Sequence, residues 1–214
     1  MCHNKSVNRN RWDAVVFDYG RVLSQSPSPE ELHEFARLVG CDEPPFFALY
    51  SDTRDDYDLG LHDCYGHWQK FAGAAGIALS TEQITRIVEY ENRLWVRENS
   101  AMIDLARRIR ESGSRTGILS NMPFDLLEHL RRNFAWLDEF EVQIWSCEHG
   151  IIKPDPAIYR LCLDALGCEA DRVVFFDDRP LNVEAAREVG MQAHVVTEAE
   201  EAAEILRGEV ALQT

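Results

Sequence analysis

The amino-acid sequence predicts an α/β protein: a doubly wound parallel sheet with a small helical domain inserted after the first strand. Three observations predict it. The run Ala14-Val15-Val16-Phe17 is continuously apolar and stops at Asp18, which reads as a strand buried on both faces. From Ser100 onward, helical segments, glycines and short apolar strands follow one another in regular alternation. Between these two parts, the chain has helical periodicity and no convincing strand. The expected division is a sheet-bearing core over residues 12–24 and 97–214, and a helical domain over 25–96. A chain of 214 residues is long enough for such a core plus a modest insertion.

Residues 1–11 read as a loose polar leader. After the first strand, Gly20 allows a tight or left-handed turn. Ser24 to Pro29 is a loop by composition. Ser28, Pro29 and Glu31 then form a capping-box start to a helix that runs to Val39 and stops at Gly40. Ser80 and Gln83 make a second capping box, followed by Ile84, Ile87, Val88, Glu91 and Trp95 at helical spacing. A helix with Ile103, Leu105, Ala106 and Ile109 ends at Gly113, and a strand from Thr116 to Leu119 ends in Ser120-Asn121. The helix after Pro123 carries Leu126, Leu127, Leu130 and Phe134 on one side. A strand over Glu141 to Trp145, a helix from Pro156 to Gly167, and a strongly apolar strand from Arg172 to Phe176 come next; that last strand ends in Asp177-Asp178. A helix closed by Gly190, a strand from Ala193 to Val196, and a helix N-capped by Thr197 complete the pattern.

The formal net charge is -15 and the sequence pI about 4.8. So acidic a surface repels nucleic acid and anionic membranes, and argues against both as partners. An anionic substrate remains compatible, because a metal and a few cations reverse the field locally. The six cysteines form no C-x-x-C pair and fit no zinc spacing. With a polar N-terminus and no apolar run of membrane-spanning length, the expectation is a cytoplasmic protein with reduced thiols.

In a parallel sheet the carboxyl ends of the strands open at one edge, where ligands bind. Here they present Asp18, Ser120-Asn121 and Asp177-Asp178, with Lys153 on the segment Ile151-Ile152-Lys153-Pro154-Asp155-Pro156 leading into a helix. This set suits phosphoryl transfer. Carboxylates and a backbone carbonyl hold Mg²⁺, a hard cation that takes oxygen ligands. One carboxylate attacks phosphorus and divides hydrolysis into two easier steps. Ser120 and Asn121 hydrogen-bond phosphoryl oxygens, and Lys153 neutralises charge on the transferring group. Each piece alone has a plainer reading: Asp177-Asp178 as an exposed turn pair, Ser120-Asn121 as a helix N-cap before Pro123, Lys153 as a solvated lysine. Their order and strand-end placement together favour a site.

These motifs resemble those of the haloacid dehalogenase-like superfamily, over nearly the whole chain from Trp12. Asp18 with Tyr19-Gly20 is similar to its first motif, Ser120 to the second, Lys153 in Lys-Pro-Asp-Pro to the third, and Asp177-Asp178 with Asn182 and Glu184-Ala185-Ala186 to the fourth. The resemblance implies a Rossmann-like core, a helical cap that opens and closes about hinges near Ser24 to Pro27 and Arg97 to Ser100, and Mg²⁺-dependent hydrolysis of a small phosphomonoester through Asp18. Within it, Asp18, the Gly20 carbonyl and Asp178 would ligate the metal, Asp177 acting through water. Most phosphatases of the superfamily carry a second aspartate two residues after the nucleophile, as general acid/base; Gly20 stands there instead. The Asp-x-Gly form resembles a branch that includes a bacterial glucose-1-phosphate phosphatase, so a sugar phosphate is one expected substrate. Two alternatives stand beside this reading: a metal-independent 2-haloacid dehalogenase using the same aspartate, and a catalytically weak protein that binds a phosphorylated ligand. For specificity, the sequence directs attention to Arg54, Tyr57, His67 and Trp68 in the insertion, and to Arg21 and Arg179 beside the acidic motifs. The plainer reading of Trp68 is core packing, and that of His67 a surface or core histidine.

Overall fold

A computed structural model describes residues 11–41 and 45–208; the polar leader expected over 1–11 lies, apart from Arg11, outside them. Five strands, β1 (Ala14–Phe17), β2 (Arg115–Ser120), β3 (Val142–Trp145), β4 (Val173–Asp177) and β5 (Gln192–Val195), form one sheet in the order β3-β2-β1-β4-β5. Every neighbouring pair is parallel. β1 is therefore central, and all four of its residues are buried. Its alternation serves two cores: Val15 and Phe17 join one apolar cluster, Ala14 and Val16 the other.

Between β1 and β2 lie α1 (Pro29–Val39), α2 (Pro45–Asp52), α3 (Asp55–Asp58), α4 (Cys64–Ala75), α5 (Thr81–Trp95) and α6 (Ser100–Glu111). The first five form a helical block with a cluster of its own, centred on Phe35, Phe46, Trp68, Phe71 and Ile87. After β2 come α7 (Phe124–Asn133), α8 (Ser146–His149), α9 (Pro156–Leu166), α10 (Pro180–Glu188) and α11 (Ala199–Arg207). Helices α6, α7 and α11 cover the sheet face of Phe17; α9 and α10 cover the face of Val16. Among the described residues, no helix is long and apolar enough to cross a membrane.

The capping boxes at Ser28 and Ser80 form as the sequence predicts, each serine oxygen accepting from the backbone N–H three residues on. Two local expectations are corrected. Gly20 has φ -64 and ψ 125, an ordinary extended conformation; the left-handed residue is its neighbour Arg21, at φ 60 and ψ 0. The turn Tyr19–Leu23 closes with the Ser24 N–H donating to the Tyr19 carbonyl at 2.8 Å, and its one left-handed position falls a residue later than the glycine. Thr197 is not the cap of α11. The chain there is still held at the sheet edge, with Val196 N–H on the Asp177 carbonyl and the Thr197 carbonyl accepting from Asn99, so Glu198 takes the cap position.

The two segments that join the block to the sheet run side by side. Ser24 and Glu98 form an antiparallel bridge, flanked by Gln25 N–H to the Arg97 carbonyl at 2.7 Å and Asn99 N–H to the Leu23 carbonyl at 2.9 Å. The stretches singled out as hinges therefore brace one another.

Candidate active site

Parallel pairing puts the ends of β1, β2 and β4 side by side, with Phe17 opposite Ile118 on one neighbour and Phe176 on the other. The next residue of β1 is Asp18, whose N–H donates to the Phe176 carbonyl at 2.8 Å. This extends the ladder and fixes the carboxylate at the sheet edge. Carboxylate oxygens of Asp18, Asp177 and Asp178 lie within 4.8 Å of one another.

Lys153 is at the centre of the site. Its ammonium donates to Asp18 Oδ1 at 2.8 Å, Asp177 Oδ2 at 2.6 Å and the Leu119 carbonyl at 2.9 Å, so all three of its protons are engaged. The side chain is 1% exposed, which sets aside the reading of a solvated lysine. Burial alone would push the ammonium down, but Asp177 and Asp18 more than reverse this and hold it above its ordinary value. Asp18 responds the other way. Burial pushes its carboxyl up to about 7, Asp177 and Asp178 add to the rise, and Lys153 opposes it.

The two acids at the end of β4 differ in surroundings. Asp177 is completely buried, and both its oxygens are occupied: Oδ1 accepts from the Arg179 N–H and from Asn182 Nδ2, Oδ2 from Lys153 and from Asn182. Asn182 is in turn placed by Tyr159, whose hydroxyl donates to the Asn182 carbonyl at 2.9 Å. Asp178 is half-buried, its ion-pair partner being Arg21 at 3.5 Å. Burial, with Asp177 beside it, raises the Asp178 carboxyl, against the pull of Arg21 and Lys153.

Ser120 is buried at the end of β2 and lines the pocket. Asn121, expected to touch the phosphoryl group, has its side-chain amide engaged elsewhere. Oδ1 accepts from the Lys153 N–H at 2.8 Å, and Nδ2 donates to the Lys153 carbonyl at 2.9 Å. It grips the backbone of the residue whose ammonium holds Asp18. Nor is it a helix cap: Pro123 takes that position on α7, with no side-chain bond. Glu184, noted with the last motif, points away and lies 3.7 Å from Arg187.

These residues open into a cavity of about 550 Å³ between sheet edge and helical block. Of the four block residues singled out in the sequence, Arg54 alone lines it; Tyr57, His67 and Trp68 are packed behind. Tyr57 stacks on His67 at 4.5 Å, and His67 meets Trp68 edge-on. Arg21 and Arg179 line the mouth. Sequence reasoning missed Tyr50, Asp58 and Glu91, which surround Arg54, and Ser146, whose hydroxyl accepts from Met122 N–H and donates to the Asp58 carbonyl, tying the block to the loop after Ser120. Glu91 left a usable signal: it is an acid on the apolar face of α5, between Ile87 and Leu94, a placement that requires a buried partner.

Comparison with known proteins agrees with this geometry. A family model described as haloacid dehalogenase-like hydrolase matches residues 12–190. The bifunctional epoxide hydrolase 2 of Sus scrofa is 34% identical over 114 residues, which are 49% of this chain and only 20% of that protein; the chain thus spans about a fifth of that relative. The sesquiterpene phosphatase astK of Aspergillus oryzae is 28% identical over 83% of this chain and 86% of its own. Among solved structures, a HAD family enzyme from Bacteroides thetaiotaomicron, in complex with magnesium and inorganic phosphate, superposes with a TM-score of 0.69 at 22% identity, covering 86% of this chain and 93% of that one. The strand order, the strand-end acids and the match over residues 12–190 agree: the chain belongs to the haloacid dehalogenase-like hydrolases.

Proposed function

We propose that the protein is a Mg²⁺-dependent phosphomonoester hydrolase that works through an aspartyl-phosphate on Asp18, the helical block serving as its cap. One observation carries the reading: a buried lysine joins Asp18 to Asp177 while Asp178 stands open beside them. The donor set fits a hard divalent cation. Three carboxylates face one ammonium and, at 3.5 Å, the Arg21 guanidinium, which leaves one negative charge in excess, and all the side-chain donors are oxygen. Asp18, Asp178 and the Gly20 carbonyl would hold the ion; Asp177, with both oxygens already taken, keeps Lys153 in place instead. Bound there, the metal supplies charge neutralisation for an anionic nucleophile approaching an anionic phosphate.

The chain's own residues account for the rest. Lys153 fixes Oδ1 of Asp18, so the nucleophile is oriented before substrate arrives. Asp18 attacks phosphorus, the P–O ester bond breaks, and the alcohol leaves with a proton. Water then cleaves the acyl phosphate, which regenerates Asp18 and releases phosphate. Ser120 is the hydroxyl donor to the phosphoryl oxygens. Glycine at position 20 gives no proton to the leaving group, so water does, and esters of acidic alcohols react faster. The likeness to a sesquiterpene phosphatase supports the choice of a phosphate ester over a haloacid.

The test is phosphate release from p-nitrophenyl phosphate by the native chain and by Asp18→Asn, each with Mg²⁺ and with EDTA. Release that needs both Asp18 and Mg²⁺ is expected. No release from the native chain with Mg²⁺ would overturn the reading.

A further inference from the structure

The pocket wall contributed by the helical block has an acidic bias, although it carries an arginine. Two of the three guanidinium nitrogens of Arg54 are already engaged. Its Nε donates to Asp58 Oδ1 at 2.9 Å, and its Nη1 donates to Glu91 and to the Tyr50 hydroxyl. The guanidinium also lies over the rings of Tyr50 and Tyr57, at 5.4 and 5.2 Å. The Asp58 and Glu91 side chains are 12% and 4% exposed, so solvent screens them little. Of the two carboxylates against this guanidinium, Asp58 lines the cavity and Glu91 lies behind it; together they leave one negative charge over, and Asp55 adds another at the wall. The rest of this wall is largely apolar: Leu32, Phe47, Leu94 and Trp95. The other cations lining the cavity, Arg21, Lys153 and Arg179, come from the sheet edge.

From this we infer that the cap selects monophosphates whose alcohol part is uncharged and apolar, and turns away substrates with a second anionic group. The inference rests on the phosphatase reading and names its substrate class. An apolar alcohol displaces water from Phe47, Leu94 and Trp95. A second anion meets the carboxylates of Asp55 and Asp58 on this wall, and the Nε and Nη1 hydrogens of Arg54 are already given to Asp58, Glu91 and Tyr50. A hydroxylated sugar gains neither effect.

Matched aryl esters test this on the native protein: phenyl phosphate, 2-naphthyl phosphate and 4-carboxyphenyl phosphate, with glucose 1-phosphate alongside. One like charge at roughly 8 Å and an effective dielectric near 30 is worth about tenfold, so kcat/KM for the carboxylated ester should fall by about that factor relative to phenyl phosphate. The second ring of the naphthyl ester, burying roughly 50 Å² more apolar surface, should raise it about fivefold to tenfold. Glu91→Gln removes one of the surplus charges and should raise the ratio of carboxyphenyl to phenyl turnover severalfold. Because it is a ratio, it is indifferent to any loss of folded enzyme; Asp58→Asn should move it the same way. Turnover with a flat or reversed order, with glucose 1-phosphate preferred, or with an unmoved ratio in both variants overturns this inference alone. Absence of turnover with every ester overturns the phosphatase reading and the inference together.

Discussion

On the phosphatase reading, Gly20→Asp should speed turnover and make it less sensitive to the leaving group. The backbone at residue 20, φ -64 and ψ 125, suits any L-residue, so no strain opposes the change. A Cβ built there would lie 3.8 Å from Asp18 Oδ2, an ordinary contact, with no other neighbour within 4 Å. The new carboxyl would stand beside Asp18. One like charge at roughly 5 Å and an effective dielectric near 20 costs about 3 kcal/mol, enough to raise a carboxylic pKa by about two units, toward 6. A carboxyl poised there is suited to protonate a departing alkoxide, a contribution worth about 10²–10⁴ in rate. The gain must depend on the leaving group. For glycerol 2-phosphate, whose alkoxide needs the proton, kcat/KM should rise about a hundredfold or more. For p-nitrophenyl phosphate, whose phenolate leaves unaided, it should stay within about threefold. The assay is phosphate release from both esters by both proteins, with Mg²⁺ present. An equal effect on the two esters, or none on either, would refute the idea that the missing acid limits the native chain.

Three further outcomes are expected. Lys153→Met leaves Asp18 and Asp177 buried without their shared cation; breaking such a pair costs about 3–5 kcal/mol, so the melting temperature should drop by about 6–20 °C and turnover by at least about 10², both measurable in one preparation. Asn121→Ala removes both bonds to the Lys153 backbone and should lower kcat about tenfold or more with little change in KM, while Asn121→Asp, which keeps the acceptor, should fall between; a change confined to KM would mean that Asn121 binds substrate directly. Burial pushes His67 down to about 4 from an ordinary 6.5, so the unfolded chain binds more protons between those values; stability is fully present above the upper value and is lost as pH falls through the window, by roughly 2–3 kcal/mol between pH 7 and pH 4.5 in urea unfolding. His67→Phe should flatten that slope, and an unchanged slope would assign it to other groups.

The strands and the acids at their ends were legible because both follow from one constraint. A strand buried on two faces must be apolar throughout, so the aspartates ending β1 and β4 stand out as soon as the strands do. Lys153 was legible by its place between those ends. What stayed hidden depends on pairs far apart in the chain. Asn121 and Lys153 are 32 residues apart, and nothing local says that an amide at a strand end will grip a distant backbone rather than a ligand. Arg54 and Glu91 are 37 apart, on different helices. Tyr57, His67 and Trp68 could be read two ways because aromatic side chains serve cores and pockets alike; packing placed them inside the block, which for Trp68 is the plainer of the two readings. Gly20 misled for another reason. A glycine at a sharp turn suggests positive φ, whereas here it sits beside the left-handed residue and its missing side chain leaves room next to Asp18.

Charge balance connects the acidic surface to the proposed chemistry. A protein of net charge -15 must still draw a phosphate dianion into a pocket edged by three carboxylates. Lys153 cannot do this alone, since its three protons already serve Asp18, Asp177 and a carbonyl. Burial first, and then the charges of Asp177 and Asp178, push the Asp18 carboxyl up to about 7 against the pull of Lys153. A protonated Asp18 is no nucleophile. The cation that fits beside Asp178 would therefore have two linked consequences: it would bring Asp18 to its carboxylate form, and it would turn the local field attractive for phosphate. Asp177 makes that division possible. By occupying its own oxygens with Lys153, Asn182 and the Arg179 N–H, it keeps the lysine on Asp18 and leaves Asp178 open toward the cavity. Asp177→Asn and Asp178→Asn should then fail differently. The first should weaken the fold and the hold on Lys153. The second should leave the melting temperature of the metal-free protein nearly unchanged or raised, while abolishing the stabilisation that added Mg²⁺ gives to the native chain.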